Sequence, residues 1–455
     1  MQPRSVAAVS SCCLTSEYFT SISAHPCPAL GSCNRAMCWC ACSHSTSTNT
    51  GVLVTDKECF ARARRQLGAG AFSSMARLSL PLSCINDTLL HHKELLWPRM
   101  HHKDGSTTCK PQPQDRHRLW NQLSKPRACE DATPLQSNVY HHGGWTSVLH
   151  GVAKLLMYAQ RFDMLPWTPG AAMWTDVATC PNRTLTCFFK PFSACDHTRS
   201  AAGADPLLFK RADNATLIRA TSRSALRAAG AIPERGWFWW TAALMSFVMR
   251  PSAQLRLAFE DALRTSGLHE ARQRGQPVVA LHVRHGDSCS SIEARRTARN
   301  CEPLSVYINA IERLANASAV QLSTIFLATD DPAVINMTAS YPQYTWLRQP
   351  GSTELVHLLN PGNRFLDTVI QQNSMKQSRL HNNMQLAWST TLDAMLLASC
   401  DLFVGKFTSS LFRLSYELHA AECDCAAPFI SLDSPWCYGW MEMVTPHGGG
   451  LPRSC

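Results

Sequence analysis

Arg284, within His282-Val-Arg-His-Gly-Asp287, and Ser409, within Lys406-Phe-Thr-Ser-Ser410, are the residues of this chain best suited by type and setting to hold a phosphate. A guanidinium is always charged and meets phosphate oxygens through two parallel hydrogen bonds, where lysine acts as a point charge. Ser409 or Ser410 stands where a helix should begin, because Leu411, Leu414, Leu418 and Ala421 recur at helical spacing. A helix start offers free backbone N–H groups and the positive end of a dipole, which together favour an anion. Arg413, one turn in, would add charge. A third cluster, Thr329-Asp-Asp-Pro332, reads as a strand-to-helix turn with Asp331 as N-cap and Pro332 at the first helical position. Paired acids also suit a divalent metal, but a proline-started helix already accounts for Asp330 and Asp331, and no metal is expected. Taken singly, a capped helix and a strand-end arginine are ordinary features of proteins that bind nothing.

What gives them weight is the elements that carry them. Each cluster closes an apolar, strand-like run: Pro277-Val-Val-Ala-Leu281, Ser323-Thr-Ile-Phe-Leu-Ala328 and Asp401-Leu-Phe-Val-Gly405. Strands alternating with helical patterns predict an α/β domain with a parallel sheet. In such sheets ligands bind outside the carboxyl ends of the strands, so recurrent polar strand ends point to one shared site. Between the second and third strands, Trp388, Leu392, Met395, Leu396 and Ser399 form an apolar stripe that leaves Asp393 off that face, free to point into a crevice.

In order along the chain, His282-Val-Arg-His-Gly-Asp287, Ile325-Phe-Leu-Ala-Thr-Asp-Asp-Pro332, His381-Asn382, Leu392-Asp393 and Val404-Gly-Lys-Phe-Thr-Ser409, followed by Arg413 and Tyr416-Glu417, resemble the α1,6-fucosyltransferase family, which includes rhizobial nodulation enzymes and protist relatives. Gly143-Gly-Trp-Thr-Ser147 before Leu149-His150, and Trp237 to Trp240 with Phe247 and Arg250-Pro251, extend the resemblance upstream to about Gly143. The resemblance implies a GT-B-like α/β protein, two Rossmann-like domains facing a cleft. It also implies inverting, metal-independent transfer of fucose from GDP-fucose, with no cofactor besides that donor. By position, Arg284 would neutralise the β-phosphate and Ser409 would donate to the diphosphate. His282 and Asp393 would face the guanine, Gly144 would let backbone approach the phosphates, and His285, Asp330, Asp331 and Arg413 would line the same pocket.

The chain departs from the family pattern where the acceptor hydroxyl would be activated. His285 replaces the second arginine of the usual His-Val-Arg-Arg, and Ser288 replaces the lysine after the aspartate. The stretch from Asp287 to Pro303 is longer, so the general base falls on Glu293 or Glu302, and Arg295, Arg296 and Arg299 are placed to supply the missing positive charge. The implied acceptor is a glycan or glycoprotein, most simply an N-glycan core or a chito-oligosaccharide. The alternatives are a GDP-binding relative without turnover, a protein O-fucosyltransferase, or a transferase using another GDP-sugar.

The chain has 455 residues, 45% hydrophobic and 17% charged, which is enough for two globular domains. The boundaries are read as residues 1–110 poorly ordered, 111–275 the acceptor-side domain, 276–422 the donor-binding domain, and 423–455 a tail rich in Cys and Trp. Within the first domain, helices are expected over His150 to Tyr158 and Ala215 to Ala229, a strand over Arg161 to Pro166, and a helix packed between domains at Trp237 to Trp240. The net charge of +10 suits an anionic partner, and no motif that reads RNA or DNA is present. The 21 cysteines are many for a cytosolic enzyme. The spacings of Cys180, Cys187 and Cys195, of Cys289 and Cys301, and of Cys423, Cys425 and Cys437 suit loop-closing disulfides in an oxidising lumen. Paired CxxC elements for zinc are missing from the core region. Sequons at Asn86, Asn182, Asn214, Asn316 and Asn336 agree with a secretory, Golgi-type location. No apolar run reaches the 18–20 residues of a membrane anchor, and Val6 to Leu14 is a poor signal core. The expectation of a lumenal enzyme therefore carries an expectation that the start is incomplete or is an unusual targeting segment.

Overall fold

The computed structural model describes residues 134–135, 144–161, 165–166, 170–192, 237–290, 301–318, 321–360, 366–376, 379–423, 427–433 and 436. In chain order the strands are β1 (Pro134–Leu135), β2 (Leu165–Pro166), β3 (Val278–Val283), β4 (Thr324–Thr329), β5 (Thr345–Leu347), β6 (Leu402–Gly405) and β7 (Phe429–Ser431). The helices are α1 (Trp145–Arg161), α2 (Trp237–Val248), α3 (Ala253–Thr265), α4 (Leu268–Gln273), α5 (Gly286–Ser290), α6 (Leu304–Ser318), α7 (Pro332–Met337), α8 (Ser352–Leu359), α9 (Leu366–Ser374), α10 (Leu380–Ala398) and α11 (Ser410–Cys423). Among the described residues no helix is long and apolar enough to cross a membrane.

Five strands form one parallel sheet in the order β5-β4-β3-β6-β7. The chain builds outward from β3 through β4 to β5, then returns through α10 to place β6 on the other side of β3. That reversal creates a switch point between β3 and β6, with a crevice beyond their carboxyl ends. All six residues of β3 and all six of β4 are buried, as a parallel sheet covered on both faces requires. The three expected strands, and the α/β class, are therefore present, and their polar ends lie on three neighbouring strands.

The first half contributes α1, whose Trp145, Val148, Leu149, Val152 and Leu156 are buried at helical spacing, and the short parallel pair β1 and β2. The expected strand before Pro166 is thus reduced to Leu165–Pro166, and the helix expected over 215–229 lies outside the described residues. The aromatic run opening α2 does pack between halves: Phe238 lies against Tyr416 and Trp436, and Trp240 is buried. Disulfides Cys180–Cys187 and Cys289–Cys301 join two of the expected groupings. Cys195, Cys425 and Cys437 lie outside the described residues.

The stripe expected on α10 differs from the buried face. Trp388, Leu392 and Met395 are only partly buried, whereas Ala387, Thr391, Ala394 and Leu397 are fully buried. Asp393 itself is 7% exposed. The helix is covered on several sides, including by Trp145, whose Nε1 donates to Thr391 Oγ1 at 2.8 Å. A periodicity argument that assumes one wet face therefore misplaces its buried edge.

Candidate functional site

At the end of β3, Arg284 donates from Nη1 to Asp330 Oδ2 at the end of β4, and from Nη2 to Asp287 Oδ1 on α5. The guanidinium is about a quarter exposed, while Asp287 and Asp330 are nearly buried. Asp330 Oδ1 also accepts from the backbone N of His285 at 2.9 Å. The turn that permits this has a glycine for a steric reason. Gly286 has φ +25°, and a Cβ there would stand 2.3 Å from Asp330 Oδ2.

His285 turns its ring the other way. Nδ1 lies 3.2 Å from Asp331 Oδ2 and Nε2 lies 2.9 Å from the carbonyl oxygen of Glu302. A carbonyl only accepts, so Nε2 carries the proton in the neutral ring. Asp331 also caps α7 as expected, accepting from Ala333 N at 2.9 Å with Pro332 in the first turn. Asp330 and Asp331, expected to line the donor pocket, thus spend their described bonds on protein groups. The carbonyl of Glu302 is bound to this corner, whereas Glu293 lies outside the described residues.

At the end of β6, Ser409 occupies the position before α11: its N donates to the Lys406 carbonyl, and its carbonyl accepts from Arg413 N, both at 3.0 Å. Gly405 is needed here, since a Cβ would come within 2.6 Å of the Phe412 ring. The first turn of α1 meets this point from the other half. Thr146 Oγ1 lies 2.7 Å from Ser410 Oγ, and Ser147 Oγ donates to Ser410 Oγ at 3.0 Å. Gly144 stands just before α1, its carbonyl accepting from Ser147 N and Val148 N. No atom lies within 4 Å of an ideal Cβ at Gly144, so the glycine faces open space and the fold alone does not demand it. Two helix N-termini therefore open side by side beyond the sheet. Each concentrates about half a positive charge.

Arg413 does not turn toward that opening. It is 4% exposed, its Nε donates to His150 Nε2 at 3.2 Å, and burial is the main cause that lowers its pKa. Expected to add charge behind the helix start, it is turned inward: two helices cover it, and its partners lie on α1 and α11.

The remaining two expected groups sit on the far side of β3 from this opening or beneath it. His282 is 3% exposed, stacks on Phe412 at 6.3 Å between centroids, and its Nδ1 has no hydrogen-bond partner among the described residues. Burial first, then the charges of Arg284, Lys406 and His285, push its pKa down to about 3, so the ring is neutral. Asp393 accepts from Ser352 Oγ at the start of α8, and Ser352 Oγ accepts from Ser389 Oγ at 3.0 Å. Burial raises the Asp393 carboxyl to about 7, partly opposed by the Ser352 bond. Thr353 beside Ser352 donates from Oγ1 to the carbonyl of Thr329 at 2.7 Å, fastening α8 to the end of β4.

Sequence reasoning missed Ser352, Thr353 and Thr146 as partners at this site. Thr146 lies in the glycine-rich segment already singled out, but Ser352 and Thr353 have no local signal, because their partners are remote in the chain.

Residues 231–436 match the family model for the N- and catalytic domains of α-(1,6)-fucosyltransferase. An α-(1,6)-fucosyltransferase of Drosophila melanogaster is 27% identical over 207 residues, covering 44% of this chain and 28% of the relative. One of Caenorhabditis elegans is 21% identical over 346 residues, covering 70% of this chain and 55% of the relative. The chain thus spans about half, or less, of the length of these curated relatives. Among solved structures, the NodZ α-1,6-fucosyltransferase soaked with GDP-fucose is similar over 63% of this chain and 92% of that one, at 14% identity and TM-score 0.37. Fucosyltransferase NodZ from Bradyrhizobium is similar over 66% and 96%, at 15% identity and TM-score 0.36.

Proposed function

We propose that this chain, whose residues 231–436 match the α-(1,6)-fucosyltransferase family model, transfers L-fucose from GDP-fucose to a glycan hydroxyl with inversion at the anomeric carbon. The observation that carries the reading is the convergence of Arg284 and the Ser409–Ser410 helix start on the switch point between β3 and β6. Departure of GDP builds negative charge on the diphosphate, and fixed donors already in place stabilise that charge without reorganising. The two helix starts and Arg284 are such donors. The Asp393 carboxylate suits the guanine edge, where ring N1–H and the exocyclic amine both donate. Glu302 is the described carboxylate whose main chain is tied to the Arg284 corner, and in this reading it takes the proton from the acceptor hydroxyl, with Glu293 the rival. The acceptor is most simply an N-glycan core or chito-oligosaccharide, the architecture is of the GT-B type, and the compartment is the secretory pathway, in agreement with the two disulfides.

The test is a thermal-shift titration of the full chain, folded under oxidising conditions, with GDP, UDP and ADP, followed by GDP-fucose turnover on both acceptor classes. GDP-selective stabilisation is expected, with transfer that survives in only one of Glu302→Gln and Glu293→Gln. No preference for GDP in a folded sample sinks the donor reading. A second reading is favoured by one observation, that the His285 ring is occupied by Asp331 and the Glu302 carbonyl. Under it the protein binds GDP without turnover, and the signature is GDP stabilisation with neither transfer nor donor hydrolysis.

A further inference from the structure

The two helix starts that open the donor site are joined again one turn deeper. His150 stands four residues beyond Thr146 on α1, so both lie on one face. Arg413 and Glu417 stand three and seven residues beyond Ser410 on α11, again on one face. The outer rung is the Thr146, Ser147 and Ser410 hydroxyl cluster. In the inner rung, His150 Nε2 lies 2.9 Å from Glu417 Oε2 and accepts from Arg413 Nε at 3.2 Å. His150 Nδ1 meets the carbonyl of Thr146 at 2.7 Å, tying the inner rung to the outer one. Glu417 Oε1 accepts from Trp436 Nε1 at 2.9 Å. Glu417 is fully buried, His150 is 8% exposed and Arg413 4%.

Elementary chemistry says what this cluster contains. A carbonyl only accepts, so His150 Nδ1 carries a proton. Nε2 gives its one lone pair to Arg413 Nε, and Glu417, 2.9 Å from Nε2, is also the ion-pair partner of Arg413 at 4.0 Å. Burial and the Arg413 charge push the His150 pKa down against the pull of Glu417, which leaves the ring neutral. Arg413 Nη1 is buried without a hydrogen-bond partner among the described residues. The cluster lies directly behind two helix N-termini, whose positive ends are each stabilised by an anion at the opening.

We infer that His150, Arg413 and Glu417 form a buried clamp that fixes the spacing of the α1 and α11 N-termini, and thereby sets affinity for the diphosphate half of the donor independently of its nucleobase half. The inference rests on the donor reading above. These are positioning residues: they touch the helices that would hold the phosphates and are covered from the ligand. The Asp393 side, fastened through Ser352 and α8, shares no member with the clamp.

The experiment measures GDP and guanosine affinities on the full chain, by calorimetry or by competition, for the wild type, His150→Ala, His150→Gln and Glu417→Gln. His150→Gln keeps a polar group where Nε2 stood, and Glu417→Gln keeps the volume and polarity of the glutamate. The expected result is a loss of at least tenfold in GDP affinity for His150→Ala, a change of less than twofold for guanosine, and partial recovery in His150→Gln. Should His150→Ala fail to fold, the near-isosteric Glu417→Gln carries the same comparison. Parallel loss of GDP and guanosine binding, or unchanged GDP binding in folded variants, overturns the clamp. A wild type that prefers no nucleotide overturns the donor reading, and the clamp falls with it. The wild-type arm keeps those two failures apart.

Discussion

The two corners of the crevice solve the same electrostatic task in opposite ways. At the end of β3, a mostly covered arginine is already held by the carboxylates of Asp287 and Asp330, so an incoming phosphate must share the guanidinium with two acids of its own sign. At the end of β6, positive character comes from backbone N–H groups and hydroxyls, and the nearest described acid on α11, Glu417, lies two turns inside. The first corner is charged, paired and adjustable. The second is dipolar and fixed by packing, and the acid beside it, Asp433, is held by the hydroxyls of Thr408 and Ser431. The difference teaches that a formally basic strand end can be close to neutral before ligand binds, and that the helix starts supply the standing attraction.

The largest effect is expected from Arg284→Ala. Removing the guanidinium loses charge-assisted bonds worth roughly 1.5–3 kcal/mol each and leaves Asp287 and Asp330 facing the phosphate unopposed. GDP affinity should fall about a hundredfold or more; a loss under threefold would show that the paired corner takes no part and break the comparison. Next comes pH. A guanine edge needs Asp393 ionised, and its carboxyl lies at about 7, so guanosine affinity should fall about tenfold per unit below pH 7. Asp393→Asn should bind weakly and show no such slope in calorimetry across pH 5–8.

The same group gives a stability signature with the sign fixed. Its folded pKa is raised above the ordinary carboxyl value, so between about pH 4 and 7 the folded state holds the extra proton. Stability should decline as pH rises through that window and level off above it, and chemical unfolding of Asp393→Asn should lack that decline. Ser410→Ala sharpens the dipolar corner: loss of one hydroxyl shared with Thr146 and Ser147 should weaken GDP about fivefold, in line with about 1 kcal/mol per neutral hydrogen bond. The smallest effect is expected from Asp330→Asn, which frees the guanidinium from one rival. It should tighten GDP by two- to threefold, and weaker binding instead would mean that Asp330 serves the ligand rather than competing with it.

How legible all this was depends on whether a feature is local. β3, β4 and β6 were readable because each is a short, continuously apolar run closed by polar residues, and Asp331-Pro332 because capping is a matter of neighbours in sequence. Cys289 with Cys301 was readable from spacing, whereas spacing grouped Cys180 with both Cys187 and Cys195 and left the pair to the fold. The pairing of Arg284 with Asp330, of Asp393 with Ser352, and of His150 with Glu417 was not, since each joins elements remote in the chain that only the folded topology brings together. Arg413 shows the limit most plainly. One turn into a helix that starts at a phosphate-type site, its type and place both suggested an outward cation, and what decided otherwise was α1, packed over it from the other half of the molecule.

The Cys289–Cys301 bond carries a consequence of another kind. It holds the two ends of the intervening segment 5.7 Å apart between Cα atoms, while the His285 ring grips the carbonyl of the next residue, Glu302. A segment with both ends so fixed can lengthen or change its composition with little cost to the sheet, because doubling a loop costs only about 0.6 kcal/mol in closure entropy. The covalent tie thus lets the sequence between these cysteines vary beside the Arg284 corner without refounding the fold.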